Sequence, residues 1–312
     1  MPAGKTSRCP STRCPTREKD GPFLGVDWVD GYRVTRILEL LGDGQGRDVD
    51  SALKLQMDLQ SIPWREMRDT VLSVSPDDED GRHALELLGD WDGELGPDSV
   101  AASVFQHFLS SMYRRVAQAR APRSWKWALG NGDNLVLPHT WLVARRTGHL
   151  ARLLRDRPDG WFAEGWDHTV AEALSEAMST LATEKNATWG RIRTLTLVHP
   201  AAVEQKLLAP ILNRGPFPWG GDANTVSQAA ALTEEPTANP MAIASLRMVI
   251  DVGNWEENRF ILPGGQSGNP LSPHYDDMLE MWRRGEGVPI AWSPERVESV
   301  AVETLLLTPA NG

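Results

Sequence analysis

The chain has 312 residues, 41% of them hydrophobic, and a formal net charge of −10 at pH 7. That much apolar material supports one large or two smaller packed domains and excludes wholesale disorder, and the longest apolar runs fall far short of the roughly 20 residues that span a bilayer. An acidic body repels phosphate backbones, so nucleic acid is not expected as a partner, and with no apolar run of spanning length a membrane is not expected either.

The first 22 residues are rich in Pro, Ser, Thr and Arg, nearly repeat RCP, and offer nothing able to pack. They are expected to be a disordered tail, foreign in character to the chain from Phe23 onward. Basic residues dominate this tail without the apolar run of a secretory leader behind them. Its two cysteines, Cys9 and Cys14, are too few to complete a zinc site.

Residues 31–41 place Val34, Ile37, Leu38 and Leu41 at helical spacing, flanked by Arg33 and Arg36. Asp48 or Asp50 suits the cap of a second helix, and Ile62-Pro63-Trp64 opens a third through Met67 and Val71. The acidic SPDDEDG stretch reads as a loop or an N-terminal cap. Further helices are expected over 82–89, 98–120 and 137–155, and another from Asp167 with Val170, Leu174, Met178 and Leu181 on one stripe. The period then changes: residues 191–198 and 246–251 alternate polar with apolar, as strands do. Phe260-Ile261-Leu262 is a further strand, residues 274–284 a helix and 297–307 a final strand. Residues 23–185 are therefore expected to be mainly helical and 186–312 strand-rich, an α+β class.

The segment LPGGQSGNPLSPHYDDMLEMW (262–282) gathers Gly265, Gln266, Ser267, Gly268, His274, Tyr275 and Asp277. A metal-dependent hydrolase built on His274, Asp276 and Asp277 is one reading, but consecutive residues at a helix start point in different directions, so few of them can meet on one ion. The preferred reading is a structural corner, in which Ser272 or Asp277 caps the helix and His274 and Tyr275 bond into the glycine loop. The loop lacks the lysine of a phosphate cradle and is not a GxSxG elbow. His199, before Pro200, reads as a buried, satisfied histidine. The many tryptophans read first as core anchors and second as pocket walls. Arg33 and Arg36 are surface or ion-pair residues unless an anion lies nearby.

Five segments, DWVDGYRVTRILELL (27–41), WGRIRTLTLVHP (189–200), NRGPFPWGGDANTVSQAA (213–230), SLRMVIDVG (245–253) and LPGGQSGNPLSPHYDDMLEMWRRGE (262–286), resemble the penicillin acylase family in order and spacing. They match the C-terminal portion of its large chain, from about Pro22 onward. The resemblance implies an N-terminal-nucleophile hydrolase with an αββα sandwich, present here in part. Such enzymes are precursors that cut themselves to expose a serine. That serine attacks a linear amide with its own α-amine as base, while backbone N–H and an asparagine hold the oxyanion.

The resemblance further implies an acyl amide substrate, either a β-lactam side chain or an acyl-homoserine lactone, and a periplasmic or secreted location. It implies calcium in the complete enzyme, with Asp20 near one ligand position but at poor spacing, so no metal ligand is carried over. This sequence shows no Gly-Ser self-cleavage junction and no asparagine before Asn131. No catalytic residue is therefore carried over, and the chain alone is expected to be inactive. The missing N-terminal part of the same enzyme, the small chain and the first half of the large chain, is the expected partner. A non-catalytic subunit serving a separately encoded nucleophile chain is the alternative. What does carry over is Arg33, which matches the family arginine beside the substrate pocket.

Overall fold

In the computed structural model, which describes residues 29–42, 48–130, 145–184, 186–231, 235–307 and 309, the helix expected over 31–41 is α1 (Tyr32–Leu41). Its buried residue is Tyr32, whereas the apolar stripe of Val34, Leu38 and Leu41 stays exposed, so polar anchors hold this helix. Asp48 caps α2 (Val49–Leu55) through the Ser51 N–H, and Ser61 caps α3 (Ile62–Leu72), with Pro63 in its first turn. The acidic loop supplies Asp78 as the cap of α4 (Glu79–Gly89), which starts three residues earlier than its apolar period.

Ser99 caps the longest helix, α5 (Val100–Arg120). Two helices come next, the short α6 (Trp125–Ala128) and α7 (Arg146–Asp156). The expected start of α7 near 137 lies outside the described residues. Then comes α8 (Gly165–Leu181), which buries Val170, Leu174 and Leu181 as the stripe predicts.

The chain divides into two compact units. The first contains α1 and α3 to α8, and continues to residue 243. Its core is aromatic: Trp64 of α3, Trp91 and Phe105 of α5 have ring centroids 5.3–5.4 Å apart, and all are buried. Edge and tilted contacts of this kind add to the burial of their large apolar area. Both α4 and α5 pack against α8.

After α8 the elements shorten. A helical turn, α9 (Trp189–Ile192), precedes β1 (Thr194–Leu197), which pairs antiparallel with β2 (Arg214–Pro218) across α10 (Pro200–Glu204) and α11 (Ala209–Leu212). A second antiparallel pair joins β3 (Ala229–Ala230) to β4 (Ala242–Ile243).

The second unit contains α2 and residues 244–312. Its sheet has the order β5 (Arg247–Val249), β6 (Arg259–Ile261), β7 (Val288–Pro289), all antiparallel. Between β6 and β7 lies α12 (Leu279–Arg284), whose Trp282 is fully buried. The helix starts later than residue 274, because the preceding turns are tied back to the glycine loop.

The final strand expected over 297–307 is corrected: α13 (Pro294–Val300) occupies its first part, and residues 301–307 have no regular structure. Ser293 caps this helix through the Arg296 N–H, Pro294 takes its first position and Glu295 complements its dipole. Together these outweigh the β-branched alternation. The described part is thus a mixed helix-and-strand molecule, as the pattern implies.

Candidate functional site

The segment GGDANTVSQAA begins with two glycines because the chain turns sharply there. Gly221 has φ of +77°, and a Cβ on it would lie 2.5 Å from the Ser227 carbonyl. The turn folds around Asp222. One carboxylate oxygen of Asp222 accepts from the N–H groups of Asn224 and Thr225 at 2.7 and 3.1 Å, and the other from Gln106 Nε2 at 2.9 Å. Asn224 Nδ2 donates onward to Thr147 Oγ1 at 3.2 Å, which shares a 2.8 Å hydrogen bond with the Tyr113 hydroxyl. Burial pushes the Tyr113 phenol up to about 12, so it stays protonated at neutral pH.

Arg193, itself buried, lies under this turn. It donates to the Gly221 carbonyl at 2.9 Å and to the Ala229 carbonyl, and its guanidinium stacks 5.0 Å from the Trp189 ring. Burial lowers its pKa to about 10, with Asp222 opposing the shift, which leaves a cation at neutral pH. Trp189 also donates to the Gly221 carbonyl, at 3.1 Å. The loop, α5, α7 and α9 are thus joined by side chains that leave few polar atoms unpaired.

Helix α1 docks beside this loop through its arginines. Arg36 binds Asp58 with Nε to Oδ1 at 3.0 Å and Nη2 to Oδ2 at 2.7 Å, a bidentate fork. The Asp58 carbonyl in turn accepts the Ser227 N–H at 3.0 Å. One turn earlier, Arg33 Nη1 donates to Gln228 Oε1 at 3.1 Å. Tyr32 OH donates to Glu66 at 3.0 Å, and Asp30 accepts the Gly148 N–H at 2.8 Å. Burial raises the pKa of Asp30, against that backbone hydrogen bond and the charges of Arg145 and Arg152.

Between these elements lies a cavity of about 340 Å³, walled by Arg33, Gln106, Tyr113, Trp189, Asp222 and Gln228 among others. Its wall carries arginines (Arg33, Arg146, Arg193) and carboxylates (Asp30, Asp222, Glu235) beside an indole, a phenol and carboxamides, which suits a small organic ligand with a polar end that meets Arg33. Arg33, which the resemblance sets beside a substrate pocket, lies on the wall of this cavity.

The Gly265 to Asp277 cluster belongs to the second unit and forms a corner. Ser267 N–H donates to the His274 carbonyl at 2.9 Å, Met278 N–H to the Gly264 carbonyl at 2.9 Å, and His274 N–H to Ser272 Oγ at 3.2 Å. His274 Nδ1 lies 2.8 Å from Asp277 Oδ2. It is therefore the His274 backbone, not its ring, that bonds into the glycine loop, while Gln266 is exposed. Among the described residues no three His, Cys, Asp or Glu side chains are grouped to hold a metal ion. Asp20 lies outside the described residues.

His199 is half-buried, and its Nδ1 accepts the Ala201 N–H at 3.1 Å as the cap of α10, a more exposed role than expected. Trp64, Trp91, Trp166 and Trp189 are core residues, and an edge of Trp189 also lines the cavity. Sequence reasoning passed over Asp222, Asn224, Gln228 and Arg193. The signal available was the unusual density of small and polar residues in GGDANT within a chain otherwise patterned for helices.

A family profile described as penicillin amidase matches residues 12–299. Penicillin acylase 2 proenzyme of Pseudomonas sp. strain SE83 is 28% identical over 309 residues, covering 92% of this chain and 37% of that protein. Acyl-homoserine lactone acylase QuiP of Pseudomonas aeruginosa is 26% identical, over 93% of this chain and 38% of its own length. Among solved structures, a thermostable penicillin G acylase from Alcaligenes faecalis is similar with a TM-score of 0.48 and 20% identity, over 89% of this chain and 53% of that one. The chain spans less than two fifths of the length of the curated relatives it matches. With the profile running through nearly every described element, the chain belongs to the penicillin amidase family.

Proposed function

We propose that the chain is part of an amidohydrolase that cleaves the linear C–N bond of acyl amides, and that its share of the work is to bind and orient substrate in the cavity beside Arg33. The observation that carries this reading is a guanidinium held on the wall of a cavity of about 340 Å³, in a chain of this family. One relative is named a penicillin acylase and another an acyl-homoserine lactone acylase, and an acyl group is common to both names. Arg33 would meet a substrate carboxylate or carbonyl oxygen, Trp189 and Tyr113 would contact the organic body, and the Asp222 turn would keep that wall rigid.

No nucleophile is assigned within the chain. In the family mechanism a terminal serine, with its own amine as base, attacks the amide, and on this reading another part of the enzyme supplies it and completes the αββα sandwich. Coverage of less than two fifths of the curated relatives favours such an assembly.

The test is to recover the tagged chain from its native cell and assay that material, and the chain stripped of companions, for release of amine from phenylacetyl and decanoyl amides. Hydrolysis by the assembled material, lowered at least about tenfold by Arg33→Ala, is the expected result. Assembled material that releases nothing, or a stripped chain that turns over as fast, would overturn the proposal.

A further inference from the structure

Arg33 and Arg36 stand on one helix, three residues apart, and are held in chemically different ways. Arg36 is gripped by a carboxylate: its fork binds both oxygens of Asp58, and its charge is neutralised on the spot. Arg33 is gripped by an amide, Gln228 Oε1 at 3.1 Å. Among the described residues no carboxylate lies within 4 Å of its guanidinium. Arg carries five N–H donors in a rigid fork and no acceptor, so the contact must be the Gln228 oxygen, and most of the fork is left over for something else.

Gln228 is itself set firmly. The N–H groups on either side of it are fixed, Ser227 to the Asp58 carbonyl at 3.0 Å and Ala229 to the Asp222 carbonyl at 2.9 Å. Hydrogen bonds from Arg33 to Gln228, from Ser227 to Asp58 and from Arg36 to Asp58 close a ring with the helix backbone. A surface arginine in need only of anchoring would be served better by a second carboxylate, since charge-assisted hydrogen bonds are roughly twice as strong as neutral ones. A neutral acceptor anchors the side chain and leaves its charge uncompensated.

We propose that Gln228 is a positioning residue for Arg33: its uncharged amide oxygen aims the guanidinium along the cavity wall and spares its positive charge for a carboxylate on the ligand. This rests on the cavity being the substrate site, and it narrows the substrate class to acyl compounds that carry an anionic group at the end facing α1. Neutrality at position 228 is then a specificity determinant, and not only a packing choice.

The experiment uses the full chain, with phenylacetate as the anionic probe and phenylacetamide as the neutral one, each titrated calorimetrically. The Nε–H signal of Arg33, assigned by its loss in Arg33→Lys, is followed by NMR. In Gln228→Glu the signal stays ordered, yet phenylacetate binding falls at least about tenfold, the scale expected when a charge is neutralised in place. In Gln228→Leu the signal becomes mobile and phenylacetate binding falls about threefold or more, while phenylacetamide binding changes less than about twofold in both variants. The proposal is overturned if Gln228→Glu binds phenylacetate as the parent does, or if the Arg33 signal is equally mobile in all variants. If the parent binds neither probe, the reading of the cavity fails, and the NMR signal alone decides whether Gln228 positions Arg33.

Discussion

Arg36 and Asp58 face each other fork to fork, with side chains only 20% and 15% exposed. The Asp58 hydrogen bonds hold the Arg36 pKa above its ordinary value, and its backbone carbonyl holds the loop that carries Gln228. Replacing Asp58 by Asn turns one oxygen of the fork into a donor facing a donor. Partial burial makes the loss larger than that of a surface pair, so a fall of about 1–3 kcal/mol in unfolding free energy is expected. Urea denaturation checks the magnitude. The Arg33 Nε–H signal should also broaden, because α1 loses its nearest anchor.

Asp222 is 7% exposed and accepts three hydrogen bonds, from Gln106, Asn224 and Thr225. Asp222→Ala leaves those three donors without their acceptor and takes away the nearest anion to buried Arg193. A cost of about 3–5 kcal/mol is expected, in the range seen when a buried charged partner is removed. Asp222→Asn should cost less, because one carbonyl oxygen remains. Chemical denaturation of both variants should rank them in that order, and near-equal values would contradict the hydrogen-bond account.

Much of this site lies where sequence patterns are silent. The helices α3, α4, α5 and α8 were legible through their apolar stripes, and Ser61, Asp78 and Ser99 cap the first three just before those stripes, whereas α8 has no side-chain cap. Arg33 was singled out through its setting in DGYRVTRI, and it lies on the cavity wall. Gln228 and Asp222 act through partners 195 and 116 residues away, and no local period encodes contacts at that separation. The stripe of Val34, Leu38 and Leu41 shows the converse, for a perfect helical period predicted the helix but not the face that is covered. The strand expected over 297–307 failed for a related reason: Ser293-Pro294-Glu295 is a strong helix start, and alternation alone does not outweigh it.

His107 on α5 is buried enough to hold its pKa down to about 4, from an ordinary 6.5, and its Nε2 has no hydrogen-bond partner among the described residues. The unfolded chain therefore takes up a proton on this residue between about pH 6.5 and 4 while the folded chain does not. Stability contributed by neutral His107 is fully present above pH 6.5 and is lost as pH falls through that window. The loss should amount to roughly 3 kcal/mol once pH falls below both values. His107→Gln should flatten the pH dependence of unfolding between pH 7 and 4.5, and an unchanged slope would show that other groups set it.

The corner that closes the second unit's glycine loop can be tested with a matched pair of substitutions. A Cβ at Gly265 would run into the His274 carbonyl and lie 2.6 Å from Asp277 Oδ1, whereas a Cβ at Gly268 would meet nothing within 4 Å. Neither glycine has the positive φ that side chains avoid, so the two alanine variants differ in close approach alone. Backbone cannot move aside cheaply at residue 274, because the carbonyl there already accepts the Ser267 N–H. Gly265→Ala should therefore cost about 2 kcal/mol or more, the scale of overpacking against fixed backbone, and Gly268→Ala should be neutral or slightly stabilising. Thermal unfolding of the two variants side by side gives the comparison. Equal transition temperatures would mean that the loop can shift away from His274, and that the Ser267 hydrogen bond does not fix the corner.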